Sequence, residues 1–153
     1  MSQLVHELVI DTSALMALLL QEAEAEPLLA VAAEASVVHL SAASRVELGL
    51  VSESSRHGFE DNEVEQLLLT LGVQVVPFDQ HHLHWALQGW RHFGKGRHPA
   101  GLNLGDCFSY GLAMAFDLPL LFKGNDFAHT DVKAALSLLS PGYPPETPVS
   151  RGP

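Results

Sequence analysis

The sequence predicts an α/β fold, with a mainly parallel central sheet flanked by helices. Two observations carry that expectation. Short apolar, β-branched runs alternate with longer helix-forming runs along the chain. The chain is 153 residues long and 47% hydrophobic, the size of one domain with a sizeable core. Its first strand is "LVHELVI" (4–10), apolar, β-branched and stopped by Asp11. A helix follows over 12–26, in "TSALMALLLQEAEAE", which holds helix formers and no glycine. Pro27 interrupts there and suits the first turn of a second helix, "PLLAVAAEA". "VVHL" (37–40) is a second strand, and "SAASRVELGLVSESS" (41–55) a helix with Gly58 near its end. "EDNEVEQLLLTLG" (60–72) is a helix with acids in its first turn, as the helix dipole favours. "VQVVP" (73–77) is a third strand and "DQHHLHWALQGWRHFG" (79–94) a long helix closed by Gly94. A basic, glycine-rich loop (95–105) leads to the helix in "NLGDCFSYGLAMAF" (103–116). "LPLLF" (118–122) is a fourth strand, turned by "KGND". A last apolar stretch, "VKAALSLL" (132–139), precedes a proline-rich tail expected to be loosely ordered.

Composition excludes several classes. There is no run of about 18 apolar residues for a membrane span, and "MSQLVHELVI" lacks the basic region and cleavage pattern of a signal peptide. The one cysteine, Cys107, cannot form an internal disulfide, which fits a cytoplasmic location. The net charge of −10 is unlike a free-standing protein that grips nucleic acid through phosphates alone. An acidic chain handles phosphates by placing metal ions between them and its carboxylates, or by borrowing positive charge from a partner.

Four acids are candidates for chemistry, and each has a plainer structural explanation. Asp11, between the first strand and first helix, is also placed to cap that helix. Glu47 sits beside the apolar positions Ala43, Val46, Leu50 and Val51, or closes a Ser44-x-x-Glu47 capping box. Asp106 is a first-turn acid favoured by the helix dipole. Asp126 follows the fourth strand in a Gly-Asn-Asp turn. Their conjunction is more telling than any one of them. Active sites of parallel sheets lie beyond the strands' carboxyl ends, and there all four acids can converge. Clustered carboxylates resist ionising together. A hard divalent cation relieves that repulsion, and oxygen ligands suit Mg2+ or Mn2+.

"VIDTSALMALL", "SRVELGLV", "GLNLGDCFSYGLA" and "LLFKGNDFAHTDV" stand in the order and spacing of PIN domains. The chain resembles the VapC group of toxin ribonucleases over about residues 4–135. The resemblance implies a PIN-like three-layer sandwich over residues 1–140, with the tail from 141 to 153 outside it. It implies Mg2+-dependent endonucleolytic cleavage of RNA, with Mn2+ able to substitute. Asp11, Glu47, Asp106 and Asp126 would be the family's acidic residues, with Asp11 and Asp106 holding the metal. Glu47 and Asp126 would complete the pocket, and Thr12 or Ser13 would orient it. Many relatives carry two acids where this chain has Asn125-Asp126, so Asp131 is a competitor for the fourth role. Single-stranded or looped RNA is the expected target, since a shallow rim cannot reach bases inside an A-form groove.

Further expectations attach to other segments. Arg91, Lys95 and Arg97 are candidate phosphate contacts, with Lys123 expected near the same rim. His81, His82 and His84 match no zinc pattern and are expected at an exposed helix start. The apolar residues 14–35 are a candidate groove for a cognate, VapB-like antitoxin helix, and "LLLTLG" and "WALQGW" are candidate core or homodimer segments. The rival functions are a PIN-type nuclease of RNA processing and a PIN-like binding module without chemistry.

Overall fold

The computed structural model describes residues 6–136. The expected tail, residues 137–139 of the last apolar stretch, and Leu4 and Val5 lie outside the described residues. Four parallel strands form one sheet in the order β3-β2-β1-β4. They are β1 (Glu7–Ile10), β2 (Val37–Ser41), β3 (Val73–Val76) and β4 (Leu120–Leu121). Val9 aligns with His39 on one side and Leu120 on the other.

Six helices fill the connections: α1 (Thr12–Leu19), α2 (Ala25–Glu34), α3 (Ala42–Ser52), α4 (Asp61–Thr70), α5 (Gln80–Phe93) and α6 (Leu104–Phe116). A short 3-10 turn spans Phe127–His129. Successive strand side chains point to opposite faces, and this sheet uses both faces for core. Leu8, Ile10, Val38, Leu40 and Leu121 pack toward α1, α2 and α4. Val9 and Leu120 pack toward α5 and α6 with Leu102, Leu112 and Phe127. The outcome is the expected three-layer sandwich, and the strands read as near-continuous apolar runs because both faces are covered.

The first two helices divide earlier than expected. α1 ends at Leu19, and Gln21 adopts a left-handed φ of 52° in the turn that follows. α2 begins at Ala25, two residues before Pro27. Proline is still within the first turn, where its missing N–H has no intrahelical acceptor. α5 and α6 pack at close range because Gly89 lies under Tyr110. A Cβ at Gly89 would come within 2.4 Å of the tyrosine ring.

Most of the apolar surface expected to form a groove over 14–35 is in the core. Ala14, Leu15, Met16, Ala17, Leu28, Val31 and Ala32 are buried, which leaves Leu20 and Leu29 as the large apolar residues exposed there. Val46 and Leu50, in contrast, face outward, at 62% and 72% exposed. The buried face of α3 is Ser44, Leu48 and Ser52, so the helix turns small residues inward and its apolar stripe to the surface.

Candidate acidic site at the carboxyl edge of the sheet

Asp11 lies where β1 becomes α1 and is buried. Its Oδ2 accepts the Ser13 backbone N–H at 3.0 Å, so it is the cap of α1. Its Oδ1 accepts the hydroxyl of Ser109 from α6. Burial pushes the Asp11 carboxyl above its usual range, against the opposing bonds from Ser109, Ser13 and Thr12. The Ser109 hydroxyl lies 3.4 Å from that of Ser44, and Thr12 Oγ1 donates to the Ser44 carbonyl at 3.4 Å. A chain of hydroxyls therefore joins α1, α3 and α6 around one carboxylate.

Sequence reasoning missed Ser109 and Ser44. A signal was present: Ser109 stands three residues after Asp106, and Ser44 three before Glu47. Each thus shares a helical face with one of the acids. A serine on the inward face of an apolar helix needs a partner, and Asp11 supplies one.

Glu47 is not in a capping box. α3 starts earlier, with the Ser41 hydroxyl accepting the Ala43 N–H at 3.2 Å, so Ser44 is already inside the helix. The Glu47 carboxyl instead rests against the backbone of α6. A Cβ at Gly105 would fall 1.5 Å from Oε2 and 2.4 Å from Cδ. Only glycine leaves room for this carboxylate beside Asp106. Burial raises the Glu47 pKa and the Asp11 charge adds to it, while a hydrogen bond with Thr12 opposes both.

Asp106 is both a structural acid and a member of the cluster. The Asn103 side chain accepts the Asp106 N–H at 2.9 Å, and Asp106 Oδ2 accepts the Asn103 N–H at 3.1 Å. This reciprocal pair is a capping box at the start of α6. Burial raises the Asp106 pKa to about 7, helped by the charges of Asp11 and Asp126 and by a hydrogen bond with Asp126, against the Asn103 bond. Asp126 itself is exposed, at the head of the Phe127–His129 turn, with no side-chain capping bond. Asp131 goes elsewhere: the buried Tyr110 donates its hydroxyl to Asp131 Oδ1 at 2.8 Å. Of the two acids in this loop, Asp126 is the one beside Asp106.

The structure thus gathers Asp11, Glu47, Asp106 and Asp126 at the rim beyond β1 and β4. Among the described residues, no three carboxylate, imidazole or thiol groups are drawn around one point closely enough to hold an ion as they stand. Among the described residues no lysine or arginine forms an ion pair with Asp11, Glu47 or Asp106. Lys123 was expected at this rim. Its backbone N–H does reach Ser13 Oγ at 3.0 Å, but its amine pairs with Glu22, with Glu24 3.8 Å away. Arg45 is held by Asp61 and Glu65, and Lys133 lies 3.4 Å from Asp117. Arg91, Lys95 and Arg97 are exposed at the end of α5 and in the loop after it. Among the described residues none of the three has a carboxylate within 4.0 Å. The Arg97 guanidinium lies 4.0 Å over the Trp90 ring.

The histidines divide. His81 and His84 are exposed as expected, but His82 is buried. It shares the inward face of α5 with Ala86 and Gly89, at helical spacing, and meets the edges of Phe78 and Phe116.

Comparison with known proteins agrees with this architecture. The PIN domain family model matches residues 8–133. Ribonuclease VapC30 of Mycobacterium tuberculosis is 47% identical over 126 residues, covering 82% of this chain and 95% of that protein. Ribonuclease VapC of Mycolicibacterium smegmatis is 45% identical over 127 residues, covering 83% and 98%. Among solved structures, a toxin–antitoxin complex from Klebsiella pneumoniae shares the fold at a TM-score of 0.58 and 17% identity, covering 80% of this chain and 92% of that one. No helix among the described residues is long and apolar enough to cross a membrane. The chain belongs to the PIN-domain family and, within it, to the VapC group.

Proposed function

We propose that this chain is a divalent-metal-dependent endoribonuclease, the toxin of a toxin–antitoxin pair acting in the cytoplasm. The observation that carries the reading is the acidic rim. Burial raises the pKa values of three carboxylates, the Asp11 charge adds to the shift of the other two, and among the described residues no cation forms an ion pair with them. That donor set of hard oxygens fits Mg2+, with Mn2+ able to substitute. Asp11 and Asp106 would hold the ion. When bound, it would supply charge neutralisation for the phosphate and lower the pKa of water.

The rest of the chemistry belongs to the chain's own residues. Ser13 and Ser109 fix the Asp11 carboxylate in one orientation. The Asn103 N–H holds Asp106 through Oδ2, with Asp126 hydrogen-bonded beside it. Glu47 and Asp126 flank the pair. Either can take the proton of the attacking water as its oxygen bonds to phosphorus and the bridging oxygen departs. Arg91, Lys95 and Arg97 are exposed and, among the described residues, have no carboxylate within 4.0 Å, so they are available to RNA phosphates. An exposed rim suits single-stranded or looped RNA. The relatives' names as ribonucleases support this reading. The cognate antitoxin, a VapB-like partner, would silence the site by inserting a basic side chain among these acids.

The test is cleavage of total tRNA and rRNA by the antitoxin-free protein. Discrete fragments should appear with Mg2+, vanish with chelator, and fall at least about a hundredfold in Asp106→Asn. The same fragments surviving both chelator and the substitution would overturn the proposal.

A further inference from the structure

Two pairs of side chains link α6 to the loop after β4. Asp106 and Tyr110 stand one turn apart on α6, at the i, i+4 spacing that shares a helical face. Asp126 and Asp131 lie on either side of the Phe127–His129 turn. Asp106 meets Asp126, and Tyr110 meets Asp131. The two pairs differ in what they can hold. Facing carboxylates repel unless they share a proton. The Tyr110 hydroxyl donates to Asp131 Oδ1 at 2.8 Å, a bond strengthened by the carboxylate charge.

The two ends of that bond are unequal. Tyr110 is buried, its ring against the bare Cα of Gly89 and its centroid 6.1 Å from that of Phe93. A ring packed in this way has little room to move, so its hydroxyl is a fixed point. Asp131 is exposed, at the end of a loop that is a compact unit in itself. Asn125 O accepts the Ala128 N–H at 3.1 Å, and Phe127 O accepts the Thr130 N–H at 3.0 Å. The Thr130 hydroxyl donates to Phe127 O at 2.8 Å and accepts the Val132 N–H at 3.2 Å. Phe127 is buried, its ring centroid 5.2 Å from that of Phe122. An apolar ring in the core is a pivot. It fixes where the unit sits but not how the unit is turned about it. A second, directional contact fixes the turn, and Asp131 makes one.

We propose that Tyr110 and Asp131 are positioning residues for Asp126. Their bond locks the loop against α6, so that the Asp126 carboxylate, beyond the Phe127 pivot, stays beside Asp106. What Asp126 then does to RNA rests on the function proposed above. The tie itself does not depend on it.

Amide hydrogen exchange of the full chain, without metal or RNA, tests the tie. Tyr110→Phe keeps the ring over Gly89 and removes only the hydroxyl. It should speed exchange at Ala128 and Thr130 about tenfold and leave the β1 amides unchanged. Asp131→Ala should do the same. Asp131→Asn, whose carbonyl still accepts the hydroxyl, should not. Cleavage of RNA with Mg2+ tests the positioning. Tyr110→Phe should lower kcat about tenfold and move KM by less than about twofold. Asp131→Asn should keep at least about a third of the wild-type kcat. On an Asp126→Ala background, Tyr110→Phe should cost less than about twofold more. Unchanged exchange in Tyr110→Phe overturns the tie. The positioning is overturned by a loss that multiplies on the Asp126→Ala background or falls on KM alone. It is equally overturned by an Asp126→Ala chain as active as wild type, or by Asp131→Asn as impaired as Asp131→Ala. A wild type that cleaves no RNA overturns the nuclease reading, and the exchange result then decides the tie by itself.

Discussion

Gly105→Ala will fold and yet lose RNA cleavage by about a hundredfold or more, as Glu47→Gln should. The added Cβ would lie 1.5 Å from Glu47 Oε2, so the carboxylate must leave its place. What it meets is the far end of a flexible side chain, not backbone. The stability cost is therefore modest, within about 1–2 kcal/mol, and alanine's better helix propensity offsets part of it. The mechanism is checked by a double-mutant cycle. On a Glu47→Ala background, Gly105→Ala should change kcat/KM and Tm little. If the two losses multiply as independent effects, Gly105 acts by another route and the account of Glu47 is wrong.

The second large effect runs the other way, toward stability. In metal-free protein at pH 8, Asp106→Asn should be more stable than wild type by about 1–2 kcal/mol, about 3–6 °C in Tm. Asparagine keeps an oxygen that can accept the Asn103 N–H, so the capping box survives and the charge is what changes. The sign follows from linkage. The folded pKa is raised from 3.8 to about 7, so the folded state binds more protons than the unfolded chain between those values. Wild-type stability is therefore fullest below about pH 4 and is lost as pH rises through about 7. The half-buried group is partly screened by solvent, which keeps the effect well below that of a dry site. Thermal melts from pH 4 to pH 8 should show the variant's advantage growing over that window. Adding Mg2+ should then stabilise wild type and leave Asp106→Asn unmoved. An advantage of equal size at pH 4 would contradict the electrostatic cause.

Much of the frame was legible in the sequence because it rests on local signals. Apolar runs between helix formers placed the strands. The acids after the first and fourth strands lie where a parallel sheet puts its chemistry. Helical spacing placed Asp106 in the first turn of the helix over 103–116, where it stands. Features made by tertiary contact were not legible. Nothing local says that Glu47 needs the bare Cα of Gly105, or that Ser109 turns inward to Asp11. Val46 and Leu50 form an apolar stripe beside Glu47 at helical spacing, but spacing does not say which way the stripe faces, and α3 buries Ser44, Leu48 and Ser52 and turns Val46 and Leu50 outward. Lys123 read as a rim cation, yet Glu22 is closer once α1 and α2 are folded back. His82 read as surface from its polar neighbours, though its spacing to Ala86 and Gly89 belongs to the buried face of α5.

The central claim is that these carboxylates form one divalent-cation site. Calorimetric titration of metal-free protein with Mn2+ tests it most directly. The account predicts a site that Asp11→Asn and Asp106→Asn each weaken at least about tenfold, and that Asp131→Asn leaves intact because Asp131 is engaged by Tyr110. Equal Mn2+ affinity in wild type and Asp106→Asn would contradict it.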